Sequence, residues 1–127
     1  MDVKEITVLV EAWQMQCCGT AFNIGNKIEW DVVPWTFDIP PVVGLTPIDY
    51  LYDSHNDGDG NLLKITGIVT EIHLMYEIYE LDTNKNVQKP VSGKLIKCNR
   101  EADGWHKNME EYIFTAYLVK LIHTSFN

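Results

Sequence analysis

Positive charge is scarce in this 127-residue chain: ten Lys and Arg face 18 Asp and Glu, for a formal net charge of −8. The shortage is local, because residues 1–63 carry only Lys4 and Lys27 against ten acids, whereas residues 64–127 balance eight bases against eight acids. A phosphate backbone is repelled by that first half, and no basic run with interleaved aromatics follows, so nucleic acid is excluded as the expected partner. Long apolar runs are missing too. Nothing approaches the roughly 18 residues that cross a bilayer, and Met1-Asp2-Val3-Lys4-Glu5 has no basic segment leading into an apolar one, so neither membrane insertion nor export is expected. Cysteine is sparse and odd in number: Cys17, Cys18 and Cys98. Neighbouring Cα atoms lie about 3.8 Å apart, short of the usual disulfide span of about 4.4 to 6.8 Å, so a Cys17–Cys18 bond would be strained. Three reduced thiols in a cytoplasmic protein are the expectation. Also absent are Gly-x-Ser-x-Gly, a phosphate-binding loop, a dinucleotide fingerprint and His-Glu-x-x-His. No catalytic residue and no cofactor is therefore assigned, and a non-enzymatic role is expected.

What is present describes a folded domain. With 46% hydrophobic and 22% charged residues, one core can bury roughly two-thirds of the unfolded surface, so residues 1–127 are read as a single domain. The run Ile6 to Gln14 is rich in β-branched and aromatic residues and reads as a first strand, with a tight loop at Cys17-Cys18-Gly19. Gly25-Asn26 signals a turn into a second strand, on which Ile28 and Trp30 share a face. Pro34, Pro40, Pro41 and Pro47 make residues 33–47 a long connection packed over the sheet. Asp53 to Asn61 is a polar loop. Leu62 to Glu80 is the longest strand, with Gly67 placed for a bulge. A hairpin at Asp82 to Asn86 leads to a return strand over Val91 to Cys98, interrupted at Ser92-Gly93. In the last segment, Asn108 and Glu111 resemble an N-capping pair, but Tyr112 to His123 is dense in β-branched and aromatic residues and is assigned as strand. The sum is a mainly β fold of five to seven strands, a small antiparallel barrel or roll (OB-like or SH3-like) with at most one short helix.

The residues Trp13-Gln14-Met15-Gln16-Cys17-Cys18-Gly19-Thr20-Ala21-Phe22, followed by Gly25 and Trp30, resemble an uncharacterised bacterial family of small proteins. Its members share a Trp-Gln-Met-x-Cys-Cys-Gly-x-x-Phe element. A weaker echo, Gly-x-Val-x-x-Ile, falls at Gly67 to Ile72. The resemblance implies no activity, and it directs attention to residues 13–30.

Two thiols beside His55, His73, His106 and Cys98 could assemble a zinc site, since thiolate and imidazole are zinc's preferred ligands. The spacing argues against it, because adjacent cysteines on a strand point to opposite faces. Cys17, Cys18, His55 and Cys98 remain the metal candidates. Asp53, Asp57 and Asp59 suggest a calcium loop, yet Lys64 occupies the twelfth position, where a Glu should bind. A Cys–His dyad with His55 is opposed by Glu11, Glu29 and Asp31, which would raise a nearby thiol pKa. The remaining signal is aromatic: Trp13, Phe22, Trp30, Trp35 and Phe37. Strand parity places Trp30 in the core, while Trp13 stands near the loop on a mixed face with Gln14 and Gln16 beside it. The expected function is an interaction module binding a protein partner or itself through Trp13, Gln14, Gln16, Cys17 and Cys18. The alternative is a metal-binding or thiol-dependent site at Cys17 and Cys18.

Overall fold

A computed structural model describes residues 5–17, 19–35, 48–53, 63–84 and 86–126. Its strands are β1 (Ile6–Glu11), β2 (Lys27–Pro34), β3 (Tyr50–Tyr52), β4 (Leu63–Asp82), β5 (Val87–Lys97) and β6 (Ile113–Phe126), with one short helix, α1 (Ala12–Cys17). They form one sheet in the order β2-β3-β1-β6-β4-β5, and a further pairing of β2 with β4 closes the first five strands into a ring. This small β roll matches the expected class. The sheet is mixed where an antiparallel one was expected, because β3 runs parallel to β1 through Val8↔Tyr50 and Leu9↔Leu51. The other pairings are antiparallel.

Local sequence explains most of these elements. In β2 the alternation buries Ile28, Trp30 and Val32 while Lys27 and Glu29 face outward, as period-2 patterning dictates. Gly25, at φ +93°, makes the turn that precedes it, a conformation that costs glycine least. The tail of the chain is strand, as its β-branched and aromatic density demanded. The first strand is shorter than expected. Its β-branched run ends at Val10, and Ala12-Trp-Gln-Met-Gln-Cys, built from better helix formers, turns into α1. The proline-rich stretch also behaves differently at its start, since Pro34 is the last residue of β2. Residues 36–47 and the polar loop from residue 54 onward lie outside the described residues.

Strand β4 shows how a long strand serves two neighbourhoods. Its register against β6 shifts between Thr66 and Ile68, at Gly67, and again between Val69 and Glu71. The second shift changes which parity points inward: Ile65 and Val69 are buried before it, Ile72, Leu74 and Tyr76 after it. Both parities of the sequence therefore contribute to one core. The far half of β4 pairs with β5 in a hairpin whose turn includes Thr83, Asn84 and Asn86, with a further irregularity between Ile78 and Tyr79.

The interior is held by aromatic rings as well as aliphatic strands. Tyr52, Trp30, Phe22, Tyr117, Phe114 and Tyr76 contact one another in sequence, with centroid separations of 5.3, 5.0, 6.0, 5.0 and 5.9 Å. Trp30 is 8% exposed and Trp13 is 50% exposed. Trp30→Ala should cost about 3 to 5 kcal/mol in a denaturation experiment, the range for removing a buried large aromatic. Trp13→Ala should cost under about 1 kcal/mol and keep a cooperative transition.

Candidate functional site

The segment singled out by sequence borders a cavity of about 380 Å³ lined by Thr20, Ala21, Phe22, Asn26, Lys27, Ile28, Glu29, Trp30 and Tyr52. Its position follows from how β2 is paired. On one side β2 meets β4 from Lys27 to Val32, but on the other it meets β3 only from Val32 to Pro34. The Asp31 carbonyl accepts from the Asp53 N–H at 2.9 Å, which fixes the orientation of the strand. Backbone groups alternate sides along a strand, so the N–H and C=O of Glu29 and Lys27 point the same way as those of Asp31, into the cavity. No described residue pairs with them there. The cavity is thus a length of sheet edge that no described residue pairs, beside three aromatic walls, Phe22, Trp30 and Tyr52.

Helix α1 braces this site from behind. Gln14 is buried, and its Nε2 donates to the Tyr52 carbonyl at 2.8 Å, tying the helix to a cavity wall. Met15 is buried in the core, and Gly19 closes the helix by donating its N–H to the Gln14 carbonyl at 3.0 Å. A Cβ on Gly19 would stand 2.5 Å from the Met15 sulfur and 3.1 Å from the Met15 Cα, so any side chain there would displace the buried Met15. The exposed face of α1 carries Trp13, Gln16 and Cys17. Gln16 donates to the Gly104 carbonyl at 2.7 Å, which brings the backbone beside Trp105, 67% exposed, against the helix.

The expected binding residues thus divide. Trp13, Gln16 and Cys17 reach the surface, Gln14 is turned inward as a brace, and Cys18 lies outside the described residues. Cys17 is disulfide-bonded, which corrects the expectation of three reduced thiols. That expectation placed Cys17 after a strand, whereas the residue ends a helix. Cys98 is free and buried, and its thiol donates to the Arg100 carbonyl at 3.2 Å. The metal candidates do not converge: among the described residues no group of three or more His, Cys, Asp and Glu could hold an ion, and His55 lies outside them. His73 instead stands 3.4 Å from Glu71. Of the aromatic set, Phe22 and Trp30 are core and cavity wall at once, Trp35 is half-buried elsewhere, and Phe37 falls outside the described residues. Tyr52 was not anticipated, because nothing in its local sequence signals a three-residue strand.

His106 is a second feature invisible in sequence. Its Nδ1 lies 2.8 Å from an Arg100 guanidinium nitrogen, and since Arg only donates, the proton sits on Nε2. That Nε2 is buried with no hydrogen-bond partner, 4.0 Å from Asp103. The ring packs edge-on against Phe114 and Tyr117. Burial first, and then the Arg100 charge, hold its pKa below the ordinary value, against smaller opposing effects of Asp103 and the Glu101 backbone.

A profile of DUF6578, described as a family of unknown function, matches residues 4–123, and the chain belongs to that family. No curated protein and no solved structure matches it. Among the described residues, no helix is long and apolar enough to cross a membrane.

Two measurements check this geometry. Alkylation of unfolded, non-reduced protein should label Cys98 and leave Cys17 unlabelled until a reductant is added. Because the folded pKa of His106 lies below its unfolded value of about 6.5, its neutral form contributes stability above that pH, and the contribution declines as pH falls from there toward the folded pKa. The stability gap between wild type and His106→Gln should therefore narrow between pH 7.5 and pH 5, as read by thermal melts.

Proposed function

We propose that this member of a family of unknown function is a non-enzymatic recognition module that accepts an extended segment of a protein partner along the open edge of β2. The observation that carries the reading is the pair of backbone positions, Lys27 and Glu29, whose N–H and C=O groups face a cavity walled by Phe22, Trp30 and Tyr52. Strand addition gains its affinity from such main-chain groups and its specificity from side-chain pockets beside them. An apolar side chain on the incoming strand would meet the aromatic walls. The acids of the N-terminal half favour basic flanking residues, because Glu29 and Asp31 project outward from β2, where among the described residues Lys64 is the one cation within ion-pair distance, at 3.4 and 4.0 Å. The element at residues 13–22 supports the site physically, since Gln14 anchors Tyr52 and Phe22 forms a wall.

Glu29→Pro separates this reading from a purely structural one. Proline removes the N–H that faces the cavity and leaves the pairing to β4 intact, because Ile28 and Trp30 carry those bonds. Peptides selected from a displayed random library against the wild-type protein should be basic and extended. They should bind Glu29→Ala with only the loss that one rim carboxylate brings, and Glu29→Pro at least about tenfold more weakly than Glu29→Ala. Equal binding to the proline variant would refute strand addition. So would slow hydrogen exchange at the Lys27 and Glu29 amides of the free protein, which would mean that the edge is already paired.

A further inference from the structure

A second cavity, of about 220 Å³, opens on the outer side of the ring, where the end of β1 lies across β6 from β4. Its lining includes two carboxylates, Glu11 and Glu77, and two aromatic rings, Trp35 and Tyr79, over an apolar base that includes Leu9 and Met75. It shares no lining residue with the β2 edge site.

Glu77 is the unusual member. It is only 6% exposed, at a depth where an unpaired charge is costly. Both of its hydrogen bonds fall on one oxygen: Thr115 donates to Oε1 at 2.9 Å and the Tyr79 hydroxyl donates to it at 3.2 Å. The donors are neutral, and no described residue hydrogen-bonds to Oε2. No ion pair reaches Glu77 or Glu11 from any described residue. Tyr79 feels the surplus charge, since burial and then the neighbouring Glu77 push its phenol up to about 12.

We infer that this cavity binds an organic cation, the guanidinium or ammonium head of an arginine, a lysine or a free alkylamine, between the Glu11 and Glu77 carboxylates and the rings of Trp35 and Tyr79. A carboxylate with an oxygen to spare supplies a charge-assisted hydrogen bond, and an aromatic face within reach adds attraction that grows as the cation is desolvated. The rings select an organic cation over a metal. A hard metal ion takes six or more oxygen ligands for calcium, and near-octahedral oxygen coordination for magnesium, which two carboxylates beside a hydroxyl do not provide. The inference stands independently of strand addition at β2.

The test titrates N-acetyl-arginine methylamide, N-acetyl-lysine methylamide, butylammonium chloride, N-acetyl-norleucine methylamide and calcium chloride, each into the full chain. The readouts are calorimetry and the Trp35 indole resonance. The cationic probes should bind and shift that resonance, while the neutral norleucine compound should not. Binding of the blocked amino acids above butylammonium assigns the pocket to a protein side chain, and equal binding to a free amine. Glu77→Gln should weaken the cation at least tenfold, and the half-exposed Glu11→Gln gives a second reading should the buried substitution fail to fold. Saturation with N-acetyl-arginine methylamide, whose guanidinium stays charged where phenols titrate, should also move the Tyr79 titration back toward the ordinary phenol range. Equal response to norleucine, a stronger response to calcium, or an unmoved Tyr79 would each overturn the assignment.

Discussion

Edge-on contact between aromatic rings is the interaction on which the rest of this roll depends. The rings belong to β3, β2, the turn before β2, β6 and β4, so the chain from Tyr52 to Tyr76 crosses the ring's interior instead of running along one strand. Each such pair contributes about 0.5 to 1.5 kcal/mol beyond the area it buries, and it prefers tilted geometry to stacking. The preference fixes angles between strands that aliphatic packing alone would leave loose. At one end the same rings wall the open edge of β2. At the other, Phe114 and Tyr117 hold the imidazole of His106 out of water.

How much of this could be read in the sequence depends on how local the cause is. The alternation of Ile28 and Trp30 is a property of one strand, and it located the core face of β2 correctly. The β-branched density of the last segment outweighed a plausible helix cap. Gly67 marked the first irregularity of β4 because a missing side chain is visible in the letters, whereas the shift between Val69 and Glu71 has no such mark and comes from pairing with β6. The helix α1 was obscured because Trp13 extends an aromatic and β-branched pattern that Ala12 has already ended. Tyr52, the Arg100–His106 contact and the spare oxygen of Glu77 were out of reach. Each arises from residues brought together by topology, and no spacing rule describes them.

The acidic excess takes on meaning once placed on the fold. Composition alone argued against polyanions. In three dimensions Glu29 lines one cavity, with Asp31 two residues along the same strand, and Glu11 lines another, while Lys64 and Lys120 each serve more than one carboxylate. Exposed pairs of this kind add little to stability, about 0 to 1 kcal/mol. Their effect is on the field presented to an approaching molecule, which favours cations at both openings.

The position of β1 between β3 and β6 also sets a timetable for synthesis. Ile6 faces Leu121 and Glu11 faces Ala116, so the strand made first pairs with the strand made last, more than 100 residues later. At ordinary elongation rates of roughly 5 to 20 residues per second, the run Ile6 to Val10 leaves the ribosome on the order of ten seconds before its β6 partner does. Its apolar side chains and bare edge are a sticky nascent segment for that interval, so the yield of folded protein in a cell depends on how that strand is shielded until β6 emerges.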